Sequence, residues 1–291
     1  MPNVNIGKQV FNLRDNLCSE KREYVKGNVS YNIYIKIPNI CNANCSFCNK
    51  NKEEIPFNVE GMVAGVRQIM SKVTVSAISI TGGEPFKDVV LLRRIIMALN
   101  IVAVGVPISI NTNGLNLREA ISLEPYVQKL HISRHHYDDE INKEMFGGAN
   151  VPTLKEIKEV IAATRKNFIQ LNCVLVKGYI DSIEEVEKYL DQDVYNTGFV
   201  GLMKINQFAI EHFIDYKTIF PIKKEGHLYS ACYINSQFDD KELRTTCSCM
   251  NAIRLKDGHV NEYYARSVEW LQCPSNNFII YDGQKLVGNF S

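Results

Sequence analysis

Three cysteines close together are the residues of this sequence best suited to metal chemistry. Cys41, Cys45 and Cys48 lie within eight residues with the spacing Cys-x3-Cys-x2-Cys, and no fourth cysteine follows nearby. Three thiolates on one loop can ligate three irons of a 4Fe–4S cluster and leave one iron open to another ligand. Structural zinc sites usually close with a fourth ligand, which this loop lacks. The spacing therefore favours a cluster, with a zinc site or a chance grouping as alternatives.

A pair of glycines forms the second candidate motif. Residues 81–85 read TGGEP and follow the apolar run AISI. Two residues without side chains allow a ligand to approach the backbone closely. Their N–H and C=O groups can bind the ammonium and carboxylate groups of an amino acid. A plain turn between a strand and a helix is the alternative.

The third candidate is the polar segment 133–139, SRHHYDD. Arg134 can pair with a carboxylate through two parallel hydrogen bonds. His135 and His136 can contact a substrate or transfer a proton near neutral pH, and Tyr137 can do the same through its hydroxyl group. The alternative is a solvated loop whose acidic residues face water.

The elements that position these motifs alternate β-branched runs with amphipathic stretches, which is typical of βα units that form a parallel sheet. The predicted strands are 31–37, 75–80, 107–111, 127–133, 169–176 and 199–205. The predicted helices are 59–70, 89–99, 117–123, 154–166 and 183–190. Thr153 and Glu156 have the spacing of a capping box before the fourth helix. Beyond residue 212 this alternation is lost, and Asp257-Gly258 and Asp282-Gly283 indicate hairpin turns.

Six βα units with right-handed crossovers form either an open partial barrel or a doubly wound sheet. In both folds the loops that follow the strands share one face, where ligands bind. The cysteine loop follows strand one, TGGEP follows strand two, residues 111–114 (NTNG) follow strand three, and 133–136 follow strand four. All four segments are therefore predicted to open onto the same mouth.

The composition excludes several classes of protein. Lys and Arg number 33 against 32 Asp and Glu in 291 residues, and basic residues occur at most in adjacent pairs, which argues against a nucleic-acid-binding surface. The longest nearly uncharged apolar stretch, 101–110, is about half the ~18 residues of a membrane helix. Nine cysteines cannot all pair within one chain, so thiols or metal ligands are expected. We expect a cytoplasmic protein without membrane or nucleic-acid partners.

Taken together, the cysteine loop and GGEP resemble the radical S-adenosylmethionine (SAM) enzymes over roughly residues 30–210. The resemblance implies an α/β fold of the (β/α)6 partial TIM barrel type. It also implies that the open iron binds the amino and carboxylate groups of SAM. One electron from an external donor, such as a flavodoxin or ferredoxin, then cleaves SAM, and the 5′-deoxyadenosyl radical removes a hydrogen atom from a substrate. The implied SAM-binding residues in these two loops are Phe47, Gly82, Gly83 and Glu84.

Later segments resemble the GTP 3′,8-cyclases of molybdenum-cofactor biosynthesis and their relatives. The match implies further SAM-pocket residues after strands three to six: Thr112, Asn113, Ser133, Asn172 and Met203. By spacing alone, Met203 could be a core residue and Asn172 a strand residue. Two departures disfavour GTP as the substrate. Gln170 stands where those cyclases have a lysine, and the chain ends in GNFS instead of Gly-Gly-Arg.

Four cysteines in the last sixty residues suggest a second metal centre. They are Cys232, Cys247, Cys249 and Cys273. The segment that begins at Cys247 resembles the hairpin that carries an auxiliary 4Fe–4S cluster in those cyclases. It departs from the pattern because the pair is Cys-x-Cys, and because tyrosines 263 and 264 stand where a later cysteine is expected. The four residues could ligate a second cluster or could be buried thiols.

The sequence thus predicts three parts: an N-terminal extension over 1–29, a radical SAM partial barrel over 30–211 and a small hairpin-rich C-terminal domain over 212–291. The leading hypothesis is a radical SAM enzyme that acts on a small biosynthetic metabolite. Residues 1–28 are too few for a peptide-docking domain, so modification of a peptide is the second choice. An iron–sulfur electron carrier or redox sensor, and a zinc-stabilised interaction protein, are alternatives from other classes. A carrier has no use for an amino-acid site such as GGEP.

Overall fold

The computed structural model describes residues 31–38, 41–48, 54–192, 194, 197–215, 219 and 279–287, together with the strand backbone at 3–6, 9–12, 30, 252–256, 259–263 and 278. The strands in chain order are β1 (Asn3–Ile6), β2 (Gln9–Asn12), β3 (Ser30–Ile37), β4 (Thr74–Gly82), β5 (Ile108–Thr112), β6 (Lys129–Ser133), β7 (Ile169–Leu175), β8 (Thr197–Gly201), β9 (Ala252–Lys256), β10 (His259–Tyr263), β11 (Phe278–Tyr281) and β12 (Leu286–Val287). The α-helices are α1 (Val59–Met70), α2 (Val89–Val102), α3 (Glu119–Leu123), α4 (Asp139–Met145), α5 (Leu154–Ala162), α6 (Ile183–Leu190) and α7 (Gln207–Glu211).

One sheet of eight strands organises the fold. Its order is β12-β11-β3-β4-β5-β6-β7-β8, and all neighbours are parallel except the antiparallel pair of β11 and β12. Among the described strands the first and last of this order do not pair, so the sheet is open. The prediction of an α/β fold with a (β/α)6 partial barrel is confirmed.

Two features of the sheet differ from the expectation. Strand β8 ends at Gly201, whereas the sequence predicted a strand to 205. Strand β11, which lies in the predicted C-terminal domain, pairs in parallel with β3 and adds a seventh parallel strand. Its four-residue apolar run is not followed by a helical pattern, and its partner lies far away in the chain, so local periodicity could not identify it. The turn at Asp282-Gly283 does join β11 to β12, as predicted.

Alternation along the strands separates two layers of side chains. On β3, Ile33, Ile35 and Ile37 are buried in the hydrophobic core with the helices. Because successive strand residues point to opposite faces, Lys36 lies on the other, inner face of the sheet. The register places Lys36 beside Thr81 of β4. The inner face therefore carries polar side chains, and the apolar core lies between the sheet and the helices.

Side-chain caps define the starts of helices α1 and α5. Asn58 Oδ1 accepts a hydrogen bond from Gly61 N at 2.8 Å and begins α1. The capping box predicted before α5 is present, with Thr153 and Glu156 exchanging hydrogen bonds. These caps fix where the two helices begin. Within the described part of the chain, no helix has the length and apolar character needed to span a membrane.

Candidate functional site

A cavity of about 270 Å³ lies at the carboxyl ends of the central strands. It brings together residues from the loops after β3, β4, β5 and β6. Its lining is Lys36, Cys41, Ala43, Cys45, Phe47, Cys48, Thr81, Gly82, Gly83, Glu84, Asn111, Thr112, Asn113, Ser133, His135, Phe146 and Val174. The candidate cluster ligands and most of the candidate SAM-pocket residues thus face one space.

The cysteine loop is held against the end of α4. Asn44 N donates to Phe146 O at 2.9 Å, and Cys48 N donates to Cys45 O at 3.2 Å within the loop. Gly147 adopts a φ of 68°, and a Cβ there would lie 2.7 Å from Asn44 O. The close approach of the two backbones therefore requires glycine at this position.

The thiol of Cys41 lies among hydrogen-bond donors. Its Sγ is 3.4 Å from Ala43 N and 3.6 Å from Asn113 Nδ2. Such donors suit a thiolate ligand, whose negative charge they stabilise. No group of three His, Cys, Asp or Glu side chains in the described residues is placed to hold a single metal ion. A 4Fe–4S cluster does not require the three thiolates to converge on one point, because each thiolate binds a different iron. Three cysteines that line one cavity therefore fit such a cluster.

Gly82 is required by the packing of two strands. Its φ is 126°, and a Cβ would lie 2.2 Å from Ile37 O and 2.5 Å from Ile37 N. Gly83 N donates to the same carbonyl oxygen at 3.1 Å. The first glycine therefore allows β4 to approach the end of β3. The sequence argument attributed both glycines to ligand approach, and for Gly82 the structure adds this second reason.

Glu84 joins two of the loops. Its carboxylate is 1% exposed and accepts hydrogen bonds from Thr112 Oγ1 at 2.6 Å, Asn113 N at 2.7 Å and Phe86 N at 2.9 Å. Burial raises the pKa of Glu84 to about 7, and the three hydrogen bonds act in the opposite direction. The contacts of this carboxylate tie the TGGEP loop to the NTNG loop.

His135 lies in an aromatic cluster on the cavity wall. Its ring stacks on Phe146 at 4.7 Å and meets Phe47 edge-on at 5.1 Å, as measured between ring centroids. Burial lowers the pKa of His135 to about 3, so the ring is neutral at pH 7. Its Nδ1 accepts a hydrogen bond from Val174 N at 3.2 Å, which leaves the proton on Nε2. His135 can therefore donate one hydrogen bond, and it does not carry a charge near neutral pH.

Arg134 is fully buried and does not line the cavity. Its Nε donates to Gln192 Oε1 and its Nη2 to Tyr137 O, both at 2.7 Å, and Nη1 lies 2.8 Å from Asp139 Oδ1. The reason is alternation after β6: Ser133 and His135 face the cavity, and the residue between them points the other way. The guanidinium group therefore pairs with a carboxylate of the protein, that of Asp139, and does not face the cavity.

Three other candidates also lie outside the cavity lining. His136 is buried, and its Nδ1 accepts a hydrogen bond from Asp138 N at 3.0 Å. Asn172 lies on β7, where its Oδ1 accepts from Gln170 Nε2 at 3.3 Å. Met203 is half-buried in the segment after β8. Their contacts are with the protein itself.

Six lining residues were not among the candidates, and two of them, Ala43 and Thr81, lie inside the cysteine loop and the TGGEP motif. Lys36, Asn111 and Val174 lie on the inner faces of β3, β5 and β7, and strand alternation could have identified them. Phe146 reaches the cavity from the end of α4, and no local pattern marks it. Long-range packing alone brings it to His135.

The remaining cysteines divide into two groups. Cys173 is buried, its Sγ donates to His135 O at 3.4 Å, and burial raises the pKa of its thiol well above the ordinary value. It is a neutral core residue. The second group, Cys18 and the four cysteines at 232, 247, 249 and 273, lies outside the described residues.

Comparison with known proteins identifies the family. The model of the radical SAM superfamily matches residues 35–191, more than half of the chain. A GTP 3′,8-cyclase of Limosilactobacillus fermentum (strain NBRC 3956 / LMG 18251) is 29% identical over 211 residues, which cover 67% of this chain and 62% of that protein. The chain therefore spans less than two thirds of that relative's length.

A solved structure shares the fold. Streptococcus suis SuiB bound to the precursor peptide SuiA gives a TM-score of 0.50 at 18% identity, and covers 69% of this chain and 43% of its own. SuiB bound to S-adenosylmethionine gives a TM-score of 0.49 at 19% identity, with 69% and 44% covered. At these identities the likeness concerns the fold alone. The family match, the open parallel sheet and the cysteine-lined cavity together lead to one conclusion: the chain belongs to the radical SAM superfamily.

Proposed function

We propose that this enzyme holds a 4Fe–4S cluster on Cys41, Cys45 and Cys48, binds SAM beside it, and removes a hydrogen atom from a small polar metabolite. The observation that carries the proposal is that the three cysteines share one cavity with the glycine loop and Ser133. When bound, the cluster and SAM supply the electron and the 5′-deoxyadenosyl radical. The protein itself supplies binding, orientation and exclusion of water.

The residues around the cavity divide these tasks. The thiolates hold the irons, and the Ala43 N–H stabilises the charge of Cys41. Phe47 and His135 offer an aromatic wall with one N–H donor, which suits the adenine or ribose of SAM. Glu84 has a different role, because its carboxylate already accepts three hydrogen bonds from the protein. It holds the loops that surround SAM.

The polar residues on the inner face of the sheet are the argument for a small polar substrate. Barrel interiors are ordinarily filled by Val, Ile and Leu. Here Lys36, Asn111 and Ser133 line the cavity, and further along the inner face Lys129 Nζ donates to Gln170 Oε1 at 3.1 Å. Lys36, which lines the cavity, favours a substrate with an anionic group, such as a carboxylate or phosphate. Gln170, which replaces the lysine of the cyclases, is buried in this contact, which argues against GTP.

The test is reductive cleavage of SAM. Anaerobically reconstituted protein is reduced with dithionite in the presence of SAM, and 5′-deoxyadenosine is measured by mass spectrometry. Replacement of Cys41, Cys45 and Cys48 by alanine should abolish the product. The control is Cys173→Ala, which removes a thiol that does not line the cavity and should keep cleavage. Cleavage by the triple variant at the parental rate would contradict the proposal.

The same experiment separates the alternative functions from other classes of protein. An electron carrier or redox sensor would bind iron but form no 5′-deoxyadenosine even in the parent. A zinc-stabilised interaction protein would be colourless when purified without air. Peptide modification differs only in the substrate, so it shares the SAM cleavage and predicts hydrogen transfer from a peptide instead of a small anion.

We further propose that an external flavodoxin or ferredoxin delivers the electron, and that Cys232, Cys247, Cys249 and Cys273 ligate a second 4Fe–4S cluster. Iron and sulfide should then each approach about eight per chain, because two cubanes each hold four. The triple alanine variant of the first site should retain about half of that iron. An iron-free triple variant would show that the tail thiols bind no cluster.

A further inference from the structure

We propose that the carboxamide of Asn113 raises the reduction potential of the cluster by donating a hydrogen bond to the Cys41 thiolate. Asn113 is then a positioning residue that acts on the iron through its ligand. The inference rests on the proposed function, since Cys41 must be a cluster ligand. It assigns to Asn113 a contact with the cluster ligand, whereas the family resemblance implied only a contact with SAM.

The contact lies within one small group of atoms. Asn113 Nδ2 is 3.6 Å from Cys41 Sγ and 2.8 Å from Asn42 Oδ1. An amide NH₂ group carries two hydrogens, so one nitrogen can serve both acceptors. The side chain of Asn113 is 6% exposed. A hydrogen bond in such a place is electrostatically stronger than one in water.

The orientation of the carboxamide is fixed by its other end. Asn113 Oδ1 accepts a hydrogen bond from Leu115 N at 3.0 Å. A backbone N–H can bond only to an acceptor, so the oxygen must point to Leu115 and the NH₂ group to Cys41. The backbone is fixed as well, because Asn113 N donates to Glu84 Oε2 at 2.7 Å. The buried carboxylate of Glu84 therefore holds the residue that contacts the thiolate.

The sign of the effect follows from charge. Reduction adds one negative charge to the cluster and its thiolates. A donor to a ligand sulfur stabilises the more negative state more strongly, so it raises the reduction potential. Loss of the donor should lower the potential, and a carboxylate in its place should lower it further. If Asn113 only supported the loop, its substitution would change stability or SAM affinity and would leave the reduction potential of the SAM-free cluster unchanged.

The test is a redox titration of the SAM-free cluster, followed by electron paramagnetic resonance. Asn113→Ala removes the donor without adding charge, and Asn113→Asp keeps the acceptor oxygen and replaces the NH₂ group. At the parental midpoint, the ratio of reduced to oxidised cluster should fall about tenfold in Asn113→Asp, which corresponds to about 59 mV for one electron. Asn113→Ala should shift in the same direction by less.

The matched control is Asn116→Asp. Asn116 Nδ2 donates to Phe86 O at 3.1 Å, so the same change of charge is made three residues along the loop at a side chain bonded to a backbone carbonyl. This variant should titrate near the parent. Parental potentials in both Asn113 variants with full iron would overturn the proposal. If both variants lose the iron that the Cys41/Cys45/Cys48 triple alanine variant also loses, the proposal is overturned as well, because Asn113 would then serve cluster assembly. A parent without iron would instead refute the proposed function.

Discussion

Replacement of Gly82 by alanine tests the packing that forms the cavity rim. The residue has a φ of 126°, which costs a residue with a side chain about 1–3 kcal/mol. The new Cβ would also lie 2.2 Å from Ile37 O, a backbone atom that no rotamer change can move. Overpacking of this kind costs about 1–3 kcal/mol more. We expect a loss of about 4 kcal/mol in the free energy of unfolding.

The assay is thermal unfolding of the parent and two variants. A loss of about 4 kcal/mol should lower Tm by roughly 6 °C in a chain of this size. The matched control is Gly178→Ala, because Gly178 has a φ of 88° and no atom within 4 Å of a Cβ. It incurs only the conformational cost of about 1 kcal/mol. If the two variants melt within about 2 °C of each other, the close approach of β3 and β4 at Gly82 is not as described.

Three further predictions concern buried polar groups. The pKa of Glu84 is about 7 in the fold against 4.5 for an ordinary glutamate, so stability should fall by up to about 3 kcal/mol as the pH rises from about 4.5 to 7. Denaturant unfolding across this range, as a difference from Glu84→Gln, should show that slope, and a flat difference would contradict it. The pKa of His135 is about 3 against 6.5, so its neutral ring stabilises the fold above pH 6.5 and this contribution is lost as the pH falls towards 3. Nitrogen NMR should show a neutral ring with the proton on Nε2 from pH 5 to 8, and a titration in that range would refute the assignment. Arg134→Met should lower stability by about 3 kcal/mol, because it leaves Gln192 Oε1 and Tyr137 O without the donor that they have in the fold. Calorimetry should find SAM affinity unchanged, and weaker SAM binding at parental stability would restore a role for Arg134 in binding.

Local patterns in the sequence were sufficient for the six βα units and for the loops that meet at the cavity. They could not identify β11, because a four-residue strand without a following helix gains its place only by pairing with the distant β3. Arg134 shows a second limit. Its charge and its place in a polar segment suggest a binding residue. Because side chains alternate after β6, however, Arg134 points away from the cavity that Ser133 and His135 face. The alternation of strand side chains between two faces, applied residue by residue, would have separated Arg134 from the residues that face the cavity.

The contacts that define the site are long-range, and for that reason sequence spacing does not reveal them. Glu84 and Thr112 lie in separate loops and meet only after β4 and β5 pair. The stacking of Phe146 on His135 depends on where α4 ends. The family resemblance implied that Glu84 binds SAM. In the structure its carboxylate accepts hydrogen bonds from Thr112, Asn113 and Phe86.

Mössbauer spectroscopy of protein enriched in iron-57 tests the central claim most directly. A 4Fe–4S cluster held by three cysteines has one iron without a protein ligand, and SAM should bind there. The difference spectrum between the parent and the Cys41/Cys45/Cys48 triple alanine variant isolates this cluster from any other iron. We predict that SAM changes the signal of one iron in four of that cluster. A spectrum that SAM leaves unchanged, or a parent and a triple variant with equal iron, would contradict the claim that these three cysteines hold a SAM-binding cluster.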